Sequence, residues 1–350
     1  TKFLFSRVDA LLSHNRKIEN PLDDSVVKVV SNQLQIIRRA RGFVPSPVDM
    51  EFMVDGVFAV GAELKSCFGI GKNKSGILSQ HIGDLKNYET FNFFEETVSK
   101  YFTLFRFAPK VIACDLHPDY LSTQFAESFN KSAINGNRIP VIKVQHHHAH
   151  IASCMAEHSL NEPIIGVCFD GTGYGNDGNI WGGEFLVCTP KSFERYAHFN
   201  YIKMPGGDSA IEHPWKMALA YLENSDRRIN NLQCFKSIKD DDMAIVQGMI
   251  QQNINSPLTS SAGRVFDVVA CLLNLCNVQS FDAEAQMRLE AIADKSEHGF
   301  YPFELENRII KFDQALEEIL GEISNIAPST ISGKFHNTVA QVIKEVVTKI

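Results

Sequence analysis

The chain has little that would place it outside the cell or in a membrane. Its eight cysteines (Cys67, Cys114, Cys154, Cys168, Cys188, Cys234, Cys271 and Cys276) include no C-x-x-C pair and no disulfide-framework spacing. Most lie in apolar stretches, which reads as reduced, buried thiol in a cytoplasmic protein. No apolar run reaches the roughly 18 residues of a membrane span, so no membrane partner is expected. Thr1-Lys2-Phe3-Leu4-Phe5 passes at once into charged and polar residues, so no signal peptide is expected either. Positive charge is scarce. The formal net charge is −7, and Arg38-Arg39-Ala40-Arg41 is the only dense basic cluster. That argues against nucleic acid as a partner while leaving room for a local patch. There is no G-x-S-x-G, and no cysteine sits in a reactive context. An enzyme built on this chain therefore relies on metal, on positioning, and on a nucleophile brought by a partner.

What is present reads as a mixed α/β protein. A length of 350 residues allows about two domains. Residues 1–47 are polar and turn-rich, with too few apolar residues for a stable domain, and Pro45 and Pro47 close them as a linker. A different character starts near residue 48. Val57-Phe58-Ala59-Val60-Gly61 reads as a strand into a turn, and residues 91–107 carry aromatics at helical spacing. Val111-Ile112-Ala113-Cys114-Asp115 reads as a buried strand, with Leu116-His117-Pro118 just past its carboxyl end, where α/β proteins tend to place functional groups. Ile164-Ile165-Gly166-Val167-Cys168-Phe169 is a second buried strand with Asp170 at its end, and residues 181–188 are its expected hairpin partner. Helices are predicted over 215–222, 243–250, 265–275, 283–293, 312–320 and 338–347. The chain lacks a starting methionine and stops inside an amphipathic helix, so a fragment of a longer protein is expected.

The densest chemistry lies in Val144-Gln145-His146-His147-His148-Ala149-His150, which holds four of the twelve histidines. On a helix, His146 and His150 share a face one turn apart and can grip one metal ion. His147 and His150, three apart, are the competing pair. Asp170 could add a harder third ligand. It opens Asp170-Gly171-Thr172-Gly173-Tyr174-Gly175, which reads either as a plain hairpin turn or as a glycine-lined cradle for phosphate oxygens. Gly182-Gly183 follow closely. Pro205-Gly206-Gly207-Asp208 and Ser260-Ser261-Ala262-Gly263-Arg264-Val265-Phe266-Asp267 each precede or open a helix, where capping and anion or ribose contact are equally good explanations.

Together these four segments, with Trp181-Gly182-Gly183-Glu184, resemble the HypF family, the carbamoyltransferases of [NiFe]-hydrogenase maturation. The resemblance implies that residues 1–47 are the tail of a YrdC-like domain and its linker. It implies that residues 48–350 are the carbamoyl-transferring domain, akin to tRNA threonylcarbamoyl transferases. That domain has an α/β, actin-like ATPase (ribonuclease H-like) two-lobed fold with helical insertions, its C-terminal part missing here. In the family, carbamoyl phosphate and ATP give carbamoyl adenylate, whose carbamoyl group passes to the C-terminal cysteine of HypE on the way to the cyanide ligands of the iron centre. By motif match, His146, His150 and Asp170 bind a divalent metal, zinc or iron, and are the catalytic set. Gly171, Thr172, Gly173, Tyr174, Gly175, Gly206, Gly207, Gly263 and Asp267 line the nucleotide cleft, with Mg2+ as a further ion there. The family's later glycine-rich nucleotide strand and metal-binding aspartate, beyond Phe335-His336-Asn337-Thr338, are absent from this sequence. The alternatives are a small-molecule O-carbamoyltransferase of the TobZ type and a non-catalytic metal-binding or docking module. The acidic balance and the HHHAH wording count against a tRNA threonylcarbamoyl transferase.

Overall fold

A computed structural model describes every residue except 1–4, 13–14, 17, 132–137 and 224–231. The chain divides into two units, 1–114 with 119–142, and 115–118 with 143–350.

The first unit holds a feature that the turn-rich expectation for residues 1–47 overlooked. β1 (Val26–Val30) and β2 (Gln33–Arg38) pair as an antiparallel hairpin. Ser31 and Asn32, the two residues between them, have φ of 51° and 61°, the left-handed conformation a tight two-residue hairpin turn requires. β-branched and apolar residues on both sides of a Ser-Asn pair were the signal. A six-stranded sheet follows, in the order β3-β6-β5-β4-β7-β8. Its strands are β3 (Val48–Asp49), β4 (Val57–Ala59), β5 (Gly69–Lys72), β6 (Ser75–Leu78), β7 (Val111–Asp115) and β8 (Val141–Val144). Helix α1 (Tyr88–Leu104) is the aromatic-rich helix predicted over 91–107, capped by Asn87. Its buried residues Phe94, Thr97, Val98 and Tyr101 form one helical stripe. With Phe58, Phe68 and the partly buried Phe125 and Phe129 of α2 (Leu121–Lys131), they make an aromatic core of edge-on ring contacts.

In the second unit α3 (His146–Glu157) precedes β9 (Ile164–Tyr174), β10 (Ile180–Cys188), β11 (Phe193–Phe199) and β12 (Ile202–Lys203). Next come α4 (Asp208–Glu212), α5 (Pro214–Tyr221), α6 (Asp240–Gln252), β13 (Leu258–Thr259), α7 (Ala262–Leu272) and α8 (Glu284–Ile292). β14 (Glu304–Glu306), β15 (Ile309–Lys311), α9 (Asp313–Glu322) and α10 (Pro328–Lys349) complete it. Each helix predicted in this half has an observed counterpart, with ends displaced by caps such as Ser261 and Ala327. The sheet runs β12-β13-β10-β11-β15-β14, with β9 also paired to β10. Its core joins Phe185 and Phe199 of the sheet to Trp215 of α5, Val268 of α7 and Phe335 of α10.

One expectation is corrected. Asp170 does not end its strand, because β9 continues to Tyr174 and the reversal occupies residues 175–179. Antiparallel pairing explains this: Tyr174 faces Ile180, Gly173 faces Trp181, and Phe169 faces Gly183. Between those partners residues 170–172 stand opposite Gly182 alone, so the glycine-rich stretch is a bulged strand rather than a turn. Among the described residues no helix is long and apolar enough to cross a membrane.

Candidate metal centre

Gln145 starts the site. Its backbone is extended, and its side-chain oxygen accepts from His148 N at 2.8 Å, capping α3. Its amide nitrogen donates to the Tyr174 carbonyl at 3.2 Å and lies 3.1 Å from His147 Nδ1. The helix then sends His147, Ile151 and Met155 inward. Gly166 of β9 leaves room for Ile151, since a Cβ there would come within 2.7 Å of it. With that face buried, His146 and His150 project together from an adjacent face, their ring centroids 4.8 Å apart.

The bulge in β9 brings Asp170 to them. His146 Nε2 lies 3.2 Å from His150 Nε2 and 3.3 Å from Asp170 Oδ2, and His150 Nε2 is 3.7 Å from that same oxygen. Two imidazole nitrogens and a carboxylate oxygen thus lie close enough together that they could hold one metal ion. Of the two pairs left open by spacing, the structure brings His146 and His150 together. His147 is fully buried, with Nε2 3.9 Å from Asp170 Oδ2 and no hydrogen-bond partner. An amide N–H facing Nδ1 makes that nitrogen the acceptor, so Nε2 carries the proton of the neutral ring. His148 turns away, its Nε2–H donating to the Thr189 carbonyl at 2.9 Å.

Electrostatics separate the rings. Burial works against a charged His146, but hydrogen bonds to Asp115 and Asp170 outweigh it and raise its pKa to about 9. Burial pushes Asp170 up, yet His146, His150 and the Gly171 N–H bring it down to about 2. His147 is lowered to about 4 by burial, so it stays neutral.

The remaining expected site residues divide. Gly171 has open space where a Cβ would stand. Gly263, at the start of α7, would bring a Cβ to 3.1 Å from Gly171 Cα. Ser261 ties the two elements, capping α7 while its hydroxyl lies 2.8 Å from the Asp170 carbonyl and 2.7 Å from that of Gly171. Thr172 belongs to the bulge. Gly173 is occupied by packing: a Cβ would sit 2.4 Å from His147 Cε1 and 2.9 Å from His146 Cδ2. The Tyr174 ring stacks edge-on to His117 at 5.1 Å, and Gly175 packs against Trp181. Gly206 and Gly207, with φ of 85° and 55°, form the turn before α4; a Cβ at Gly206 would stand 3.5 Å from Ser209 Cβ and 3.7 Å from Lys216 Nζ, while Gly207 has open space there. Asp267 is wholly buried. Its Oδ1 accepts from Gln286 at 2.7 Å, and its Oδ2 is 2.9 Å from Arg264 Nε, an ion pair rather than an aligned hydrogen bond. Asp267 is thus held by Gln286 and Arg264 inside the protein, within α7. Asp115 was missing from the sequence-derived set. Its Oδ2 lies 2.7 Å from His146 Nδ1. The signal for it was an acid closing a buried strand.

The family model described as "Carbamoyltransferase, Kae1-like Domain, second subdomain" matches residues 166–350, more than half of the chain. The chain belongs to the HypF carbamoyltransferase family. A second model, the HypF Kae1-like domain, matches residues 53–157. Carbamoyltransferase HypF of Synechocystis sp. is 35% identical over 356 residues, covering 96% of this chain and 45% of that protein. The probable carbamoyltransferase HypF of Methanocaldococcus jannaschii is 35% identical over 292 residues, covering 82% of this chain and 38% of that protein. A crystal structure of full-length HypF in a phosphate- and nucleotide-bound form superposes with a TM-score of 0.89 at 39% identity, over 99% of this chain and 54% of that one. T. kodakarensis HypF gives a TM-score of 0.84 at 32% identity, over 93% and 44%. The chain therefore spans about half the length, or less, of these HypF relatives. Its fold is the α/β architecture of the HypF Kae1-like domain, in the actin-like, ribonuclease H-like class.

Proposed function

We propose that this chain performs the carbamoyl-transfer step of [NiFe]-hydrogenase maturation, moving carbamoyl from carbamoyl adenylate to the C-terminal cysteine thiolate of HypE. The observation that carries this reading is the convergence of His146 Nε2, His150 Nε2 and Asp170 Oδ2 within 3.7 Å, in a chain of the HypF family. His146, His150 and Asp170 would hold a zinc or iron ion, and the donor set fits either. Such an ion, when bound, supplies Lewis-acid polarisation of the carbamoyl oxygen. The open backbone at Gly171 and the adjoining start of α7 at Gly263 would accept the nucleotide portion, with Mg2+ as a companion ion. In the step itself the thiolate sulfur bonds to the carbamoyl carbon, the bond from that carbon to the phosphoryl oxygen breaks, and AMP departs with the electron pair.

We assign the nucleophile to the acceptor rather than to the buried thiols beside the site. Burial, then the charges of Asp170 and Glu184, push the nearby Cys168 thiol up to about 12, and burial pushes Cys188 up to about 11. Neither supplies a thiolate at neutral pH. All eight cysteines are free thiols, in keeping with a reducing cytoplasm. We further assign residues 1–47 to the tail of a YrdC-like domain and its linker, and residues 48–350 to the transferring domain. The HypF family match, which starts at residue 53, supports this boundary. Making the adenylate from carbamoyl phosphate and ATP is then assigned to other parts of the family's longer proteins.

The test supplies carbamoyl adenylate and HypE to this chain and reads the HypE C-terminal peptide by mass spectrometry. Carbamoylation by the wild type, abolished in His146→Ala and His150→Ala, is expected. No mass gain with the wild type, or an undiminished gain with both variants, refutes the reading.

A further inference from the structure

We propose that Asp115 is a positioning residue of the metal centre: its carboxylate orients His146 so that Nε2 presents its lone pair to the ion. This inference rests on the metal-binding reading above and extends it to a residue that does not face the ion.

The geometry starts in the backbone. β7 delivers Asp115 at its last position, and the Leu116 N–H donates to the Val144 carbonyl at 2.9 Å, joining that strand end to the residue two before His146. The carboxylate side chain is only 6% exposed, so its orientation is set by protein rather than solvent. Oδ1 accepts from the His117 N–H at 2.8 Å. Oδ2 lies 2.7 Å from His146 Nδ1. With the carboxylate accepting at this distance, the neutral, metal-binding form of the ring keeps its proton on Nδ1. Nε2, on the opposite edge, is then the nitrogen available to a cation, and it is the one 3.2 Å from His150 Nε2 and 3.3 Å from Asp170 Oδ2. An anionic partner on the far nitrogen fixes both tautomer and ring rotation and makes the ligating nitrogen a stronger donor. His150 is half exposed, and among the described residues no buried carboxylate bonds its Nδ1. Orientation of the site thus falls chiefly on His146 and, through it, on Asp115.

The experiment measures zinc affinity of the full chain by chelator competition, for wild type, Asp115→Ala, Asp115→Asn and the ligand control His150→Ala. Thermal melts of the metal-free proteins accompany it. Asp115→Asn keeps the shape of the side chain and decides the matter if the alanine variant does not fold. We expect both Asp115 variants to bind zinc about 10- to 100-fold more weakly than wild type. A spectroscopic readout separates positioning from general loosening. In the zinc-loaded wild type, the His146 Nδ1–H should give a slowly exchanging imidazole proton signal by NMR, and Asp115→Asn should shift it or lose it. Wild-type affinity with an unchanged signal in Asp115→Asn overturns the proposal and leaves the metal reading intact. Failure of the wild type itself to bind zinc, matching His150→Ala, overturns the metal reading and this proposal with it.

Discussion

Replacing Gly173 with alanine is the sharpest probe of how the histidine cluster is built. Gly173 lies in β9 without a positive φ, so alanine meets no backbone penalty there and the effect comes from one added carbon. That carbon would stand 2.4 Å from His147 Cε1 and 2.9 Å from both His147 Nε2 and His146 Cδ2. Carbon atoms rest about 3.5–4.0 Å apart, so the strand or the rings must yield by roughly 1 Å. Neither ring is free to do so. His147 is fully buried against Gln145, and His146 is held by Asp115. Overpacking of this kind costs about 1–3 kcal/mol. In a unit of this size each kcal/mol lowers Tm by roughly 2–4 °C. A displacement near 1 Å also exceeds the ±0.2 Å or so that ligand distances tolerate, so zinc affinity should fall on the order of tenfold or more. Urea denaturation of the metal-free protein reads the first effect, and chelator competition reads the second. Wild-type values in both would refute the packing role given to Gly173.

Gly171→Ala should behave oppositely, because its Cβ position is open: stability within about 0.5 kcal/mol of wild type, but impaired carbamoyl transfer, checked by denaturation alongside the HypE assay. Ser261→Ala removes the cap of α7 and its bonds to the Asp170 and Gly171 carbonyls, and should cost about 1–3 kcal/mol by urea denaturation. Zinc uptake should depend on pH with a definite sign. His146 holds its second proton up to about 9, so apparent affinity should climb with pH through neutrality and level off above that value. For one displaced proton the slope is about tenfold per pH unit, with matching proton release measurable by calorimetry in two buffers. In the metal-free protein the raised His146 pKa gives stability that is full below its ordinary 6.5 and fades as pH rises through about 9. A flat affinity profile between pH 6 and 8 would contradict this.

The helical half of the fold was legible because its signals are local. Apolar residues at helical spacing marked α5 through α10, and helical spacing narrowed the metal pair to His146/His150 or His147/His150, between which the fold decides. Strand-level detail was harder to read. Gly and Asp favour turns, so residues 170–175 looked like one, and only pairing with β10 extends them into a strand. Asp115 could not be assigned from spacing, since the contact joining it to His146 crosses 31 positions. The burial of Asp267 was likewise invisible, because Gln279 and Gln286 that enclose it come from beyond α7. Local pattern gives elements and candidate ligands, whereas what supports a ligand depends on tertiary neighbours.

The bulge opposite Gly182 makes segment length itself a constraint. Side chains of a strand alternate between faces, so removing a single residue from 170–172 would turn everything on one side of the cut over. Either Asp170 would then leave the imidazoles or the upstream strand would swap its inner and outer surfaces. Insertions and deletions should accordingly be far less tolerated here than conservative exchanges.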